Sequence, residues 1–232
     1  MTETLQLGEV TIQVTRKAVK NVHLSVHPPH GEVTLVAPES TRLDVARAYA
    51  ISKLPWIRKQ QEALRSQIRE APRQFVTLES HYVWGRRYLL EVKEQETRPS
   101  VRQDHKRIVL TVRPGSDQAK RAEMMHRWHR KLLHEAIPPL IEKWESKLGV
   151  KVSGYYLQRM KTKWGSCNHR AGNIRLNTEL VKKPKDLLDY IVLHEMAHLI
   201  EPTHSERFIT ILDEHFPGWR EARDELNALP LG

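Results

Sequence analysis

Residues 186–208, DLLDYIVLHEMAHLIEPTHSERF, constrain this chain more than any other stretch. His194 and His198 stand four residues apart with Glu195 beside the first, the pattern HExxH. On an α-helix, positions i and i+4 lie one above the other. Both imidazoles can then reach one Zn2+ at about 2.0–2.1 Å. The surrounding residues suit such a helix. Leu187, Leu188, Ile191, Val192 and Leu199 supply apolar faces, Pro184 fits a first turn, and Asp186 and Asp189 complement the positive end of the helix dipole. A helix is expected over about 184–201, with Pro202 stopping it. Thr203-His204-Ser205-Glu206 has the T-x-x-E spacing of a capping box, which predicts a second helix over 204–215. His204 then sits on a sharp bend, from which it can turn back towards His194 and His198.

Three histidine ligands leave the fourth position of a tetrahedral ion open, the arrangement of catalytic rather than structural zinc sites. Glu195 can take a proton from an attacking water and pass it to a leaving amine, as a general base and then acid. The residues therefore predict one Zn2+ per chain, held by His194, His198 and His204, with Glu195 catalytic in peptide hydrolysis. The third ligand is spaced as in metzincins, HExxHxxGxxH, but Glu201 occupies the glycine position. A side chain there resists the left-handed backbone of that turn, so metzincin membership is rejected.

Other segments extend the pattern. Lys163-Trp164-Gly165-Ser166-Cys167-Asn168 precedes Ile174-Arg175-Leu176-Asn177, and Phe208 follows Pro202-Thr203-His204-Ser205. HLSVHPPHGEVTLVAP at 23–38 and KLPWIRKQ at 53–60 complete it. With these features the sequence resembles the YgjP-like zinc metallopeptidases, relatives of SprT-like and WLM-type zincins, over nearly its whole length. The resemblance implies an α+β fold: a zincin-like catalytic domain with an HExxH helix and a small sheet, three histidine ligands and peptidase chemistry. It also implies an edge strand through Trp164, Gly165 and Ser166 that pairs with an extended peptide substrate.

Before this region the chain reads as β-rich. Alternation predicts strands at 5–14, 22–26 and 32–37, with a turn at Pro28-Pro29-His30-Gly31. The Ser40-Thr41 pair is expected to cap a helix through Leu43, Ala46, Ala50 and Leu54, which continues or restarts through Trp56, Ile57 and Leu64. Further strands are expected at Phe75–Leu78, Tyr82–Trp84, Tyr88–Val92 and Ile108–Val112. Asp117 can cap a long helix that Pro138-Pro139 break or kink and Gly149 ends. His126, His129 and His134 read as solvated residues of that helix. Strands at Tyr155–Leu157 and Ile174–Leu176 follow. A boundary near 115 divides a β-rich N-terminal region, 1–115, from a catalytic domain, 116–232. No internal repeat stands out.

Charge and cysteine content bear on partners. Residues 1–150 hold 26 Lys and Arg against 17 Asp and Glu, a net of +9 out of +10 for the chain. Such a basic region can contact nucleic acid through its phosphates, and an alternative reading is a nucleic-acid-associated binding module with a structural or inactive zinc site. The intact Glu195 argues against that alternative, since a structural site does not need it. Arg159 and Lys161 can steady a substrate or serve as surface charges. Cys167 is the single cysteine, which fits a reducing cytoplasm. Trp164-Gly165-Ser166-Cys167 reads as cleft wall rather than as a nucleophile motif. No stretch reaches the roughly 18–20 apolar residues of a membrane span, and no secretory signal is visible at the N-terminus. A peptide or protein is the expected substrate, and the oligomeric state is not encoded in any visible pattern.

Overall fold

Alternating apolar positions build the first sheet from β1 (Thr2–Leu7), β2 (Val10–Lys17), β3 (His23–His27) and β4 (Glu32–Pro38). The computed structural model describes residues 2–27, 31–66 and 72–229, so the expected turn at Pro28-Pro29-His30 lies outside the described residues. The stretch 5–14, expected as one strand, is a hairpin: Leu7 pairs with Val10, and Gly8 takes a φ of 62° between them. A positive φ costs glycine nothing, which suits it to a two-residue turn. The strand order is β1-β2-β4-β3, with β2 and β4 parallel and the outer pairs antiparallel. Ile12, Val14, Val33 and Leu35 pack with Ala46, Ala50 and Ile57 from α1 (Leu43–Ser52) and α2 (Leu54–Ser66). Ser40 and Thr41 do not cap α1. Arg42 holds the extended cap position, and no side chain bonds the helix end.

These elements form one compact unit, residues 1–69, and residues 70–232 form another. The second unit begins with β5 (Ser80–Val83), β6 (Arg86–Glu94), β7 (Ser100–Gln103) and β8 (Arg107–Val112). Their order, β5-β6-β8-β7, and their strand directions repeat the first sheet, again with a two-residue first turn, Trp84-Gly85. The expected strand Phe75–Leu78 is absent. Phe75 and Leu78 have φ values of 55° and 72°, and the Glu79 carboxylate accepts the N–H groups of Gln74 and Phe75.

The division therefore falls at 69/70 and not near 115, because the second sheet shares its core with the next helix. Val83, Leu90, Ile108 and Leu110 pack with Met125 on α3 (Gln118–Leu148). The β5–β6 turn is also tied down by Trp84 N–H to Val181 O at 2.8 Å and Gly85 N–H to Lys182 O at 3.3 Å. As expected, Asp117 caps α3 by accepting the Lys120 N–H, and Gly149 ends it at a φ of 67°. The break at Pro138-Pro139 does not occur, and all 31 residues form one helix. The prolines deprive the carbonyls of His134 and Glu135 of helical donors. Both residues are exposed, so water can replace those donors.

The rest of the unit alternates small strands and helices: β9 (Gly154–Gln158), β10 (Gly165–Asn168), β11 (Asn173–Asn177), a 3-10 turn at Thr178–Lys182, then α4 (Lys185–Ala197), α5 (Glu206–His215) and α6 (Trp219–Ala228). The sheet order β10-β11-β9 leaves β10 on the edge. With six helices and small mixed sheets among the described residues, the fold is α+β. Among those residues no helix is long and apolar enough to cross a membrane.

Helix α4 is buried on most sides, with Leu187, Leu188, Val192, Leu193 and Met196 in the main core. Trp144 fixes it against α3: its Nε1 donates to Asp189 Oδ1 at 2.7 Å, and Lys143 Nζ donates to Oδ2 at 2.5 Å. Trp144 is only 1% exposed. Trp144→Ala is expected to destabilise the protein by about 3–5 kcal/mol in urea unfolding. Trp144→Phe keeps most of the apolar contact and loses a bond to a charged group, about 1.5–3 kcal/mol. Equal losses in the two variants would mean that the hydrogen bond, not the packing, dominates.

Candidate metal centre and cleft

The local folding of residues 194–208 brings three imidazoles to one point. His194 and Glu195 lie in the last turn of α4, and His198 is its C-terminal cap residue, with φ −68° and ψ −12°. The helix thus stops four residues short of the expected end. Leu199 N–H bonds Met196 O, and Ile200 and Glu201 N–H bond Ala197 O, turning the chain towards Pro202. The expected capping box at Thr203 is not formed. The Thr203 N–H and hydroxyl both donate to Glu201 Oε1, which braces the bend, and Ser205 caps α5 by accepting the Phe208 N–H. His204 stands between these two local motifs, on the bend as expected.

His194, His198 and His204 each offer a ring nitrogen, and these atoms lie within 4.8 Å of one another. The Nε2 atoms of His194 and His204 are 3.2 Å apart. Two nitrogen ligands of one tetrahedral ion at 2.0–2.1 Å stand roughly 3.3 Å apart, so the donor set fits a single metal ion. Ring orientation is set from outside. His198 Nδ1 donates to the Glu201 carbonyl at 3.0 Å, which leaves its Nε2 a lone pair. The Tyr190 hydroxyl oxygen lies 3.5 Å from His194 Nδ1, placed to accept its N–H. Phe208 floors the cluster, stacked on His198 at 4.5 Å and edge-on to His194 and His204. Burial pushes His194 down to about 3, with the neighbouring histidines adding to the effect, and lowers His198. Both rings are therefore neutral, as ligands must be. Among the described residues this is the grouping that could hold a metal, and Cys167 is not in it.

Glu195 points into the same cleft, of about 420 Å3, which Trp164, Gly165 and Ser166 also line. Its side chain is 5% exposed, and burial raises its carboxyl to about 8 against the downward pull of Lys163. Gly165 lies directly against it: a Cβ there would come within 2.7 Å of Glu195 Cγ and 2.8 Å of Cδ. The strand β10 thus forms a wall of the cleft as well as an edge of its sheet. Burial, then the Glu195 charge, pushes the Cys167 thiol up to about 11, far from a reactive thiolate.

Residues with no assigned role in the sequence reading hold this wall. Asn177 is fully buried, and its Nδ2 donates to the carbonyls of Met160 and Lys163 at 2.8 Å each. Its Oδ1 accepts from Met160 and Glu179 N–H groups, so one side chain pins the loop that leads into β10. Tyr190 was legible in principle, standing four residues before His194 on the same face. Of the two readings left open for Arg159, the structure shows a largely exposed charge paired with Glu179 and absent from the cleft lining. One expectation is corrected. His129 is buried, not solvated, because α3 turns Met125, His129, Leu133 and Ile137 inward at steps of four.

A family model described as "YgjP-like, metallopeptidase domain" matches residues 20–229. Among solved structures, the chain is similar to the metallopeptidase zymogen of Pyrococcus abyssi abylysin. That match has 26% identity and a TM-score of 0.36, and covers 38% of this chain and 89% of that one. It is also similar to the metallopeptidase zymogen of Methanocaldococcus jannaschii jannalysin, with 24% identity, a TM-score of 0.35, and 39% and 92% coverage. No curated protein matches.

Proposed function

The chain belongs to the YgjP-like metallopeptidase family, and from that premise we propose that it is a zincin-like, zinc-dependent peptidase with Glu195 as its general base. The observation that carries this reading is the convergence of His194, His198 and His204 beside Glu195, in a cleft walled by an edge strand. The three histidines would hold one Zn2+. When bound, zinc supplies Lewis-acid polarisation of the scissile carbonyl and lowers the pKa of water. The chain's own residues do the rest. Glu195 accepts a proton from the attacking water at its carboxylate and delivers it to the departing amine. β10 offers its free edge to the substrate backbone, which aligns the peptide by main-chain hydrogen bonds. Glu201 and Tyr190 keep the ligand rings in orientation, and Gly165 leaves room for the carboxylate.

The test is a peptide-library digest by zinc-loaded protein. Cleavage should stop on adding chelator and return with zinc, and a digest indifferent to chelator would refute the metal-dependent reading. Gly165→Ala should push the Glu195 carboxylate aside. A displacement of about 1 Å can cost about 10²-fold in turnover. Zinc content should stay unchanged, and wild-type turnover in this variant would show that Glu195 tolerates displacement.

A further inference from the structure

Four of the eight large apolar side chains exposed among the described residues fall within positions 43–56 of the first unit. They are Leu43, Val45 and Ile51 on α1 and Trp56 on α2. Ala46, Ala50 and Ile57 turn inward, onto the sheet core that both helices share. Val45, Ala48 and Ile51 recur at steps of three along the outer side of α1, where an amphipathic helix normally carries polar groups. Val45 is 56% exposed, Ile51 49% and Trp56 42%. Single exposed apolar residues need no explanation, but a cluster of them marks a surface that meets something other than water.

Cations are interspersed with these residues. The carbonyl of Lys53 accepts the Ile57 N–H at 2.9 Å, so the first turn of α2 starts there, and Lys53 and Lys59 stand three residues to either side of Trp56. Lys53 Nζ also lies 5.9 Å from the centre of the Tyr49 ring. Arg47 and Arg58 are exposed on the same two helices. None of these four cations makes an ion pair among the described residues. Arg42 pairs with Asp44 at 3.1 Å, and the other carboxylates of the stretch belong to Glu39 and Glu62. From 39 to 62 the chain carries five cations against three carboxylates, a net of +2. The exposed face is therefore apolar and cationic together.

We propose that this face docks on the surface of an anionic lipid bilayer and holds the chain there peripherally. Its side chains match the layers of such a surface. Leu43, Val45 and Ile51 enter the boundary of the acyl chains, and the Trp56 ring suits the headgroup level. The long stems of Arg47, Lys53, Arg58 and Lys59 lie along the apolar boundary while their charges reach the lipid phosphates. Each cation near an anionic bilayer strengthens binding about fivefold. Single-stranded nucleic acid would attract the same cations, but it binds by stacking on aromatic planes, and three of the four exposed apolar residues are aliphatic. Among the described residues no helix can span the bilayer, so the attachment is interfacial and reversible.

Co-sedimentation of the full chain with vesicles tests this, using equimolar phosphatidylcholine and phosphatidylserine beside phosphatidylcholine alone. The chain should pellet with the anionic vesicles, stay in solution with the neutral ones, and be released by added salt. Lys53→Gln combined with Lys59→Gln should weaken binding about 25-fold, the product of two fivefold steps. Val45→Gln combined with Ile51→Gln should weaken it at least about tenfold, because an amide does not enter the acyl region. All four side chains are exposed, so both variants should keep the wild-type melting temperature and its cleavage of peptides in solution. Equal binding to both kinds of vesicle, no binding to the anionic ones, or full binding by either variant would overturn the proposal. So would capture of a single-stranded oligonucleotide through the same lysines without binding to vesicles, which would assign the face to nucleic acid.

Discussion

Glu195→Gln is expected to lower peptide cleavage by about 10²–10⁴-fold, the range for loss of a general base, while leaving fold and zinc content as they are. That range corresponds to about 2.7–5.4 kcal/mol of transition-state stabilisation. The substitution preserves side-chain length, so the contact with Gly165 survives and the cleft wall does not move. It removes the proton-accepting oxygen and nothing else of comparable size. Glu195 is buried, and a buried neutral amide costs less to desolvate than a carboxylate, so the substitution adds no new desolvation cost. The three measurements separate the roles. Loss of turnover with zinc and thermal stability intact supports the general base. Loss of zinc with turnover would make Glu195 a ligand or a structural support. Wild-type turnover with zinc in place would rule out the proposed mechanism.

The centre of this site was legible in sequence because helix geometry is local. The four-residue step from His194 to His198 determines a shared face, and Pro202 rules out any helical continuation past the bend that returns His204. The details that failed were those where two local patterns compete. Thr203 and Ser205 both have capping spacing, towards Glu206 and Phe208 respectively. The choice went to Ser205 because the Glu201 carboxylate engages Thr203. The helix end at Ala197 was missed for a related reason: Leu199 and Ile200 continue the apolar pattern, although their N–H groups bond only in turns.

What depends on distant contacts was not legible. The boundary near 115 follows from counting strands before helices, whereas the unit division follows from which apolar faces meet. Val83 and Leu110 meet Met125, and that pairing joins the second sheet to α3. The two four-stranded sheets repeat one topology without any visible repeat in sequence. Alternation, a two-residue turn and a parallel inner pair can be written with many different residues. Asn177 shows the same limit at the scale of one side chain. Its amide acts only because Met160, Lys163 and Glu179 converge on it. His129 is the opposite case: the step of four from Met125 to Leu133 was present in the sequence and indicated burial.

Removing any one histidine of the triad is expected to reduce zinc affinity by more than the 10–100-fold typical of losing an outer hydrogen-bond partner. A chelator competition on His194→Ala, His198→Ala and His204→Ala measures this directly. The three variants should differ in stability although they share the loss of metal. His194 and His198 pack against Phe208 at the foot of a buried helix, so their removal opens space beside the core. His204 is exposed on the bend, and its loss should leave the melting temperature of the metal-free protein nearly unchanged. His204→Ala is therefore the cleanest probe of ligation. Its zinc stoichiometry should fall well below one per chain at concentrations that saturate the wild type, and the stabilisation that zinc gives the wild type should shrink with it. Full occupancy in His204→Ala would remove His204 from the ligand set. Glu201 and Glu206 would be the residues to test next, and Glu201 would first have to release Thr203, loosening the bend that holds the site.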